Sequence, residues 1–261
     1  MEKIHSQSNK FYITHLYPKQ LSIYGDYGNI IAMQKMLDKI GWEWIYQTVE
    51  IGKEMPKYND FIFIGGGQDQ DQFEITSDLL ARKKGIKNLI ESGSGLLAIC
   101  GGYQLLGYEF IDGIGQIMKG LEIFPVITKS LNKKINSRCI GNIVVDCEML
   151  NTKLVGFENH GGQTYFTTEQ KTPLGRVLIG FGNNFEEKIE GCVYKNAVGT
   201  YLHGSCLPKN PELTCWFINN ICDAKKEKNE IGHGLYHMVK QAKPDNSIAN
   251  STKNNLLSVL C

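Results

Sequence analysis

Ala98-Ile99-Cys100-Gly101-Gly102-Tyr103-Gln104 places a cysteine where an apolar run meets two glycines and the start of a helical pattern. A tight strand-to-helix turn of this kind lifts a nucleophile clear of its sheet. Glycines suit it because a Cβ would collide with the folded-back backbone. The positive end of the following helix predicts a depressed thiol pKa, and lowering it by about two units from ~8.5 would make the thiolate dominant at pH 7.

A cysteine nucleophile needs a proton shuttle. Of the six histidines, His5 lies near the amino end and His15 sits inside an apolar run. His233 and His237 share a helical spacing but lack a carboxylate partner for a metal, so they read as a solvated face. Val198-Gly199-Thr200-Tyr201-Leu202-His203-Gly204 is a short β-prone run ending in His-Gly, which suits a base held at a strand end. Glu158-Asn159-His160-Gly161-Gly162-Gln163-Thr164 is polar and glycine-rich, better suited to gripping a substrate. His203 is therefore the expected base.

Three glycines, Gly65, Gly66 and Gly67, follow the apolar run Phe61-Ile62-Phe63-Ile64. A phosphate loop would need a Gly-Lys-Ser/Thr or a G-x-G-x-x-G spacing, and neither is present. The alternatives are a plain tight turn or an oxyanion hole in which the Gly66 and Gly101 amides converge above Cys100. One such donor contributes about 3 to 4 kcal/mol of transition-state stabilisation.

These residues must be carried by strands and helices, and the pattern supplies them. Residues 11–17, 42–51, 61–64 and 96–99 read as strands. Ile30, Ile31, Met33, Met36, Leu37 and Ile40 recur at helical spacing, with Gly41 as a stop. Leu79, Leu80, Ile86, Leu89 and Ile90 line the inner face of one further helix, and Gln104-Leu105-Leu106 opens another. The order predicts an α/β fold, a three-layer, mostly parallel sheet flanked by helices, with its chemistry at the carboxyl ends of the strands. Residues 123–127, 143–145, 176–180 and 192–194 make the second half richer in strands. Pro125 demotes the first of these to an edge strand or irregular run. A helix over 212–222 follows His203. From Asp223 the chain turns polar, dividing it into a domain over 11–222 and a polar helix and tail over 223–261.

The 261 residues carry 28 Lys+Arg against 27 Asp+Glu, a net charge of +1 that argues against a general claim on nucleic acid. No apolar run is long enough to span a bilayer and the first thirty residues lack a signal-peptide core, so a cytoplasmic protein is expected. None of the eight cysteines forms a C-x-x-C pair, which predicts buried reduced thiols and no structural zinc.

Cys100-Gly101-Gly102-Tyr103-Gln104-Leu105-Leu106-Gly107, the glycines at 65–67 and Gly199-Thr200-Tyr201-Leu202-His203-Gly204 together resemble class I glutamine amidotransferases of the cobyric acid synthase-like branch. Within it, Tyr24-Gly25-Asp26-Tyr27-Gly28-Asn29, Gly156 to Thr164 and Gly180-Phe181-Gly182-Asn183-Asn184 are similar to glutaminase subunits of lipid II isoglutaminyl synthases. The resemblance implies that Cys100 attacks the side-chain carbonyl of L-glutamine and His203 shuttles the proton. It implies that Gly66 and Gly101 hold the oxyanion, and that Gln104, Arg138, His160, Gly161 and Gln163 bind substrate, with Arg138 on the α-carboxylate.

Many class I enzymes carry His-x-Glu, whereas His203-Gly204-Ser205 has serine in the third place. Ser205, a carboxylate elsewhere in the chain, or one from a partner could orient His203; the partner is the expectation. Amidation takes ATP, and the chain has no P-loop. The resemblance therefore implies a heterodimer with a Mur-ligase-like ATP-dependent synthetase subunit that holds ATP and Mg, while this chain holds no cofactor or metal. The complex would amidate the D-glutamate α-carboxyl of lipid II at the inner membrane face. A cobyrinate-like acceptor, or a stand-alone γ-glutamyl cysteine hydrolase, is the alternative.

Overall fold

The computed structural model describes residues 10–23, 25–130, 138–244, 249–250 and 253–254. Tyr24, Asn136, Ser137 and most of the polar stretch after 244 lie outside them. The first half alternates strands and helices: β1 (Phe11–Leu16), α1 (Tyr27–Lys39), β2 (Trp44–Val49), β3 (Phe61–Ile64), α2 (Asp69–Ala81), α3 (Lys83–Glu91), β4 (Gly95–Ile99) and α4 (Gly101–Leu105). Then come β5 (Glu109–Ile111), β6 (Ile117–Lys119), β7 (Val126–Ser130), β8 (Cys139–Cys147), β9 (Thr152–His160) and β10 (Gly162–Phe166). The chain continues through β11 (Gly175–Ile179), β12 (Ile189–Glu190), β13 (Cys192–Tyr194) and β14 (Ala197–Thr200), and closes with α5 (Cys206–Lys209), α6 (Pro211–Glu227) and α7 (His233–Gln241).

The central sheet has the order β13-β14-β4-β3-β1-β2. Every neighbouring pair in it is parallel except the β13–β14 hairpin. This is the mostly parallel α/β sheet the pattern implies. β3 and β4 are buried throughout because helices cover the sheet, which is why their sequences are continuously apolar. On one face, Phe217 and Ile221 of α6 pack over Gly95 and Phe61. Each buried Leu, Ile or Phe in such a core contributes about 1.5–3 kcal/mol.

The second half forms two further four-stranded sheets, β10-β7-β5-β6 and β12-β11-β8-β9, in which most pairs are antiparallel. Pro125 does not make its segment an edge. β7 starts just after the proline and lies inside its sheet between β10 and β5, so the missing N–H falls outside the ladder. The single helix expected over residues 79–90 is two. It breaks at Arg82, whose side chain is held by Asp78 Oδ2 at 2.7 Å and Tyr17 Oη at 3.0 Å. Likewise the helix expected from Gln104 begins at Gly101 and ends at Leu105. Ile31, placed on the inner face of α1 by spacing, is 45% exposed. α6 continues past Cys222 to Glu227. Cys215 is half-buried and the other described cysteines are buried, all with free thiols.

Candidate active site

Cys100 stands between β4 and α4 with φ 49° and ψ −104°, a sparsely populated conformation for a residue bearing a Cβ. The strain is held by contacts around it. Its N–H donates to the Thr200 carbonyl at 2.9 Å, and Gly102 N–H donates to the Gly65 carbonyl at 3.1 Å. A Cβ on Gly102 would lie 2.8 Å from the Ile64 carbonyl oxygen, so only glycine lets α4 press against the end of β3. The sharp turn read from the heptapeptide is therefore present. Its sulfur faces a cavity of about 580 Å³ whose wall includes Gly67, Gln104, Arg138, His160 and Gly161.

The state of the thiol differs from the expectation. Burial, followed by the negative charge of Asp26, pushes Cys100 up to about 12, against the opposing pull of the Gly101 amide and Arg138. A helix of five residues offers too weak a terminal charge to overcome that desolvation. At rest the nucleophile is a neutral thiol.

β14 runs beside β4, with Thr200 paired to Ile99, so the chain leaving β14 passes the elbow. His203 follows, fixed by a bridge to Phe157 in which each N–H donates to the other residue's carbonyl. The imidazole is fully buried, and its Cε1 lies 3.2 Å from where a Cβ on Gly66 would be. Burial and then the charges of Arg138 and Lys209 lower its pKa to about 4, which leaves it neutral and able to accept a proton. Cys100 and His203 are thus both uncharged at neutral pH. The Ser205 hydroxyl donates to the Gly25 carbonyl at 2.5 Å.

The glycine turn requires a correction. The Gly66 N–H donates to Asp26 Oδ2 at 2.7 Å, so it is not available to an oxyanion in this arrangement. Gly67 is the turn residue that reaches the cavity, and its nitrogen lies 3.1 Å from the position a Cβ on Gly101 would take. The Gly101 amide approaches the Cys100 sulfur as a hydrogen-bond donor.

Opposite the thiol, Arg138 is exposed, and its guanidinium donates to Asn159 Oδ1 at 2.8 Å from Nη2 and 3.2 Å from Nε. It lies against Gly161, where a Cβ would meet Nη1 at 3.5 Å, an ordinary contact. His160 is buried against Tyr201 with ring centroids 3.6 Å apart, and its Nδ1 pairs with the Gly162 carbonyl at 2.7 Å. Burial lowers its pKa to about 3, so the Glu158 carboxylate 3.9 Å from Nε2 is not in an ion pair with it.

Gln104 lines the cavity, but its amide is engaged at both ends: Oε1 accepts from Gln72 at 3.0 Å and Nε2 donates to Tyr201 Oη at 3.2 Å. It shapes the wall as much as it can contact a ligand. Gln163 does not reach the cavity. It is fully buried, donates to Cys139 Sγ at 3.5 Å and accepts from Phe185 N–H at 3.0 Å. Side chains alternate along a strand, so Gly162 faces the cavity and Gln163 turns the other way.

Gln72, Tyr201 and Asp26 were not singled out from the sequence. Asp26 and Tyr201 lie within the stretches that carry the family resemblance, which was the signal available. Gln72 stood in a polar first turn of α2 with nothing to distinguish it. Among the described residues no cluster of His, Cys, Asp or Glu is arranged to hold a metal.

Comparison with known proteins agrees with this geometry. Residues 12–211 match the CobB/CobQ-like glutamine amidotransferase domain. The lipid II isoglutaminyl synthase (glutamine-hydrolyzing) subunit GatD of Staphylococcus aureus N315 is 41% identical over 218 residues, covering 82% of this chain and 85% of its own. Its counterpart in Streptococcus pneumoniae R6 is 40% identical over 202 residues, 77% of this chain and 76% of that one. A probable cobyric acid synthase of Methanocaldococcus jannaschii is 34% identical over 145 residues, which span 52% of this chain and 28% of that protein. A strained cysteine elbow over a polar cavity and a match across most of the sequence lead to one assignment: the chain belongs to the CobB/CobQ-like glutamine amidotransferase family.

Proposed function

We propose that this chain is the glutamine-hydrolysing subunit of a lipid II isoglutaminyl synthase. The observation that supports it most is Cys100, set in a strained turn at a polar cavity that also presents the Arg138 guanidinium. Arg138 pairs with the glutamine α-carboxylate in a two-point contact, which places the side-chain amide over the sulfur. As the sulfur attacks the amide carbon, the thiol proton passes to neutral His203, and the carbonyl oxygen becomes an oxyanion. His203 then gives that proton to the departing nitrogen, the C–N bond breaks, and ammonia leaves a γ-glutamyl thioester. Water, deprotonated by His203, cleaves the thioester to glutamate and restores the thiol.

The ammonia serves an ATP-dependent, Mur-ligase-like partner that holds ATP and Mg and activates the D-glutamate α-carboxyl of lipid II. The reaction takes place at the inner face of the membrane, reached through the partner. Among the described residues, no helix is long and apolar enough to cross a membrane. His203 has no His-x-Glu acid, so a carboxylate from the partner completes its orientation and raises the rate on assembly.

Co-expression with the synthetase chain, followed by a glutamine- and ATP-dependent assay of lipid II amidation, tests this reading. Isoglutaminyl product is expected, with glutamine hydrolysis faster in the complex than in the single chain. Amidation of a different acceptor, or efficient cleavage of γ-glutamyl peptides by the chain alone, would overturn it.

A further inference from the structure

Asp26 occupies the N-cap position of α1, where an aspartate ordinarily accepts hydrogen bonds from the first amides of its own helix. It makes no such cap. Its carboxylate is fully buried and reaches instead across to the Gly66 N–H, 40 residues away, at 2.7 Å. Burying a carboxylate is costly, and its other oxygen, Oδ1, has no hydrogen-bond partner. Burial lifts its pKa to about 7. A group kept in so unfavourable a place calls for an explanation beyond helix capping.

The explanation lies in the turn it grips. The Gly65 carbonyl accepts from Gly102 N–H on the elbow helix, and the Gly66 carbonyl accepts from Ile23 N–H at 3.4 Å. Asp26 takes the Gly66 N–H. With those groups held, the next amide in the chain is that of Gly67, the turn residue that lines the cavity beside Cys100. A Cβ on Gly67 would strike Leu21 Cδ2 at 2.4 Å, so the residue is pressed against the segment leading into Asp26. The grip also lies beside the base, since the position of a Cβ on Gly66 is within 3.4 Å of both Asp26 Oδ2 and His203 Cε1.

We infer that Asp26 is a positioning residue for glutamine hydrolysis: by holding the Gly66 amide it sets the glycine turn so that the Gly67 and Gly101 amides receive the oxyanion. This rests on the glutaminase reading and extends it. Asp26 touches no substrate and acts only through the turn. Its shape as an acceptor matters more than its charge.

Two variants separate these properties. Asp26→Asn keeps an acceptor oxygen for Gly66 without the charge, and Asp26→Ala removes the acceptor. With the full chain in complex with its synthetase, D26A is expected to lower kcat for glutamine hydrolysis by about tenfold to a hundredfold while KM stays within about threefold, because a small displacement of catalytic groups costs this much. D26N is expected to restore kcat to within about threefold of the parent. Hydrogen exchange on the full chain gives a readout independent of activity. The Gly66 amide should lose protection in D26A and keep it in D26N, with circular dichroism unchanged in both. Unchanged protection in D26A, an equal loss of kcat in both variants, or a change confined to KM would overturn the inference. A parent protein inert towards glutamine would instead sink the glutaminase reading, and the exchange data would still decide whether Asp26 holds the turn.

Discussion

The two walls of the cavity come from different architectures. Cys100 and Gly67, which line the cavity, and His203, which is fully buried, stand at or just beyond the carboxyl ends of the parallel strands β4, β3 and β14, whereas Arg138, His160 and Gly161 come from the largely antiparallel half of the chain. Cys100 is 6% exposed, His203 is fully buried, and both are held neutral by desolvation. The other side keeps an exposed cation, Arg138. On the proposed glutaminase reading, bond making falls to the first group and substrate capture to the second. On that reading charge separates only as glutamine is attacked, and a neutral resting thiol is protected from other electrophiles.

Substitutions at Cys100 and His203 should therefore act on kcat, and those at Arg138 on KM. The largest effect is expected from Cys100→Ala, which removes the nucleophile and should abolish both hydrolysis and covalent labelling by an electrophilic glutamine analogue. Residual labelling at another residue, with hydrolysis intact, would break the assignment. The resting protonation state predicts nearly as large a difference. A thiol near 12 should react with iodoacetamide at pH 7 roughly a thousandfold more slowly than an ordinary cysteine, and the rate should climb as pH rises towards that value, because only the thiolate reacts. Rapid alkylation near pH 6 would mean a preformed ion pair.

His203→Ala should lower kcat by about 10²- to 10⁴-fold, the usual contribution of a positioned acid–base group. For the free enzyme, kcat/KM should lose its base-dependent activity only as pH falls through about 4, where His203 becomes charged. Arg138→Ala should raise KM for glutamine by about tenfold to a hundredfold with kcat nearly unchanged, as expected when one charged hydrogen-bonding pair is lost. If kcat fell with it, the division between the two groups would be wrong. The smallest effect is expected from Tyr201→Phe, whose hydroxyl lies 2.7 Å from Thr164 Oγ1 and accepts from Gln104. Losing it leaves buried partners unsatisfied, and thermal unfolding should report a loss of about 1–3 kcal/mol.

Local chemistry was readable where neighbouring residues carry the geometry. The elbow at Cys100 needs an apolar strand, a cysteine and glycines in succession, and all of it sits within one heptapeptide. β3 and β4 were readable for the same reason, since residues buried on both faces are apolar without interruption. The errors fall where a distant partner decides. Which glycine amide meets the cavity depends on Asp26, 40 residues before Gly66. Gln163 was misassigned because the pleat of β10, and not its composition, determines that Gly162 faces inward. The helical pattern divides at Arg82, whose side chain is held by Tyr17, 65 residues earlier, and by Asp78.

The order of residues by itself determined the α/β class and the strand-to-helix turn that carries Cys100, because covalent neighbours and hydrophobic periodicity suffice for those. Tertiary structure alone decided the ionisation of Cys100, the engagement of the Gly66 amide and which glycine of the turn lines the cavity. Each of these depends on desolvation or on a hydrogen bond between segments far apart in the chain. Neither quantity exists until the segments are packed together.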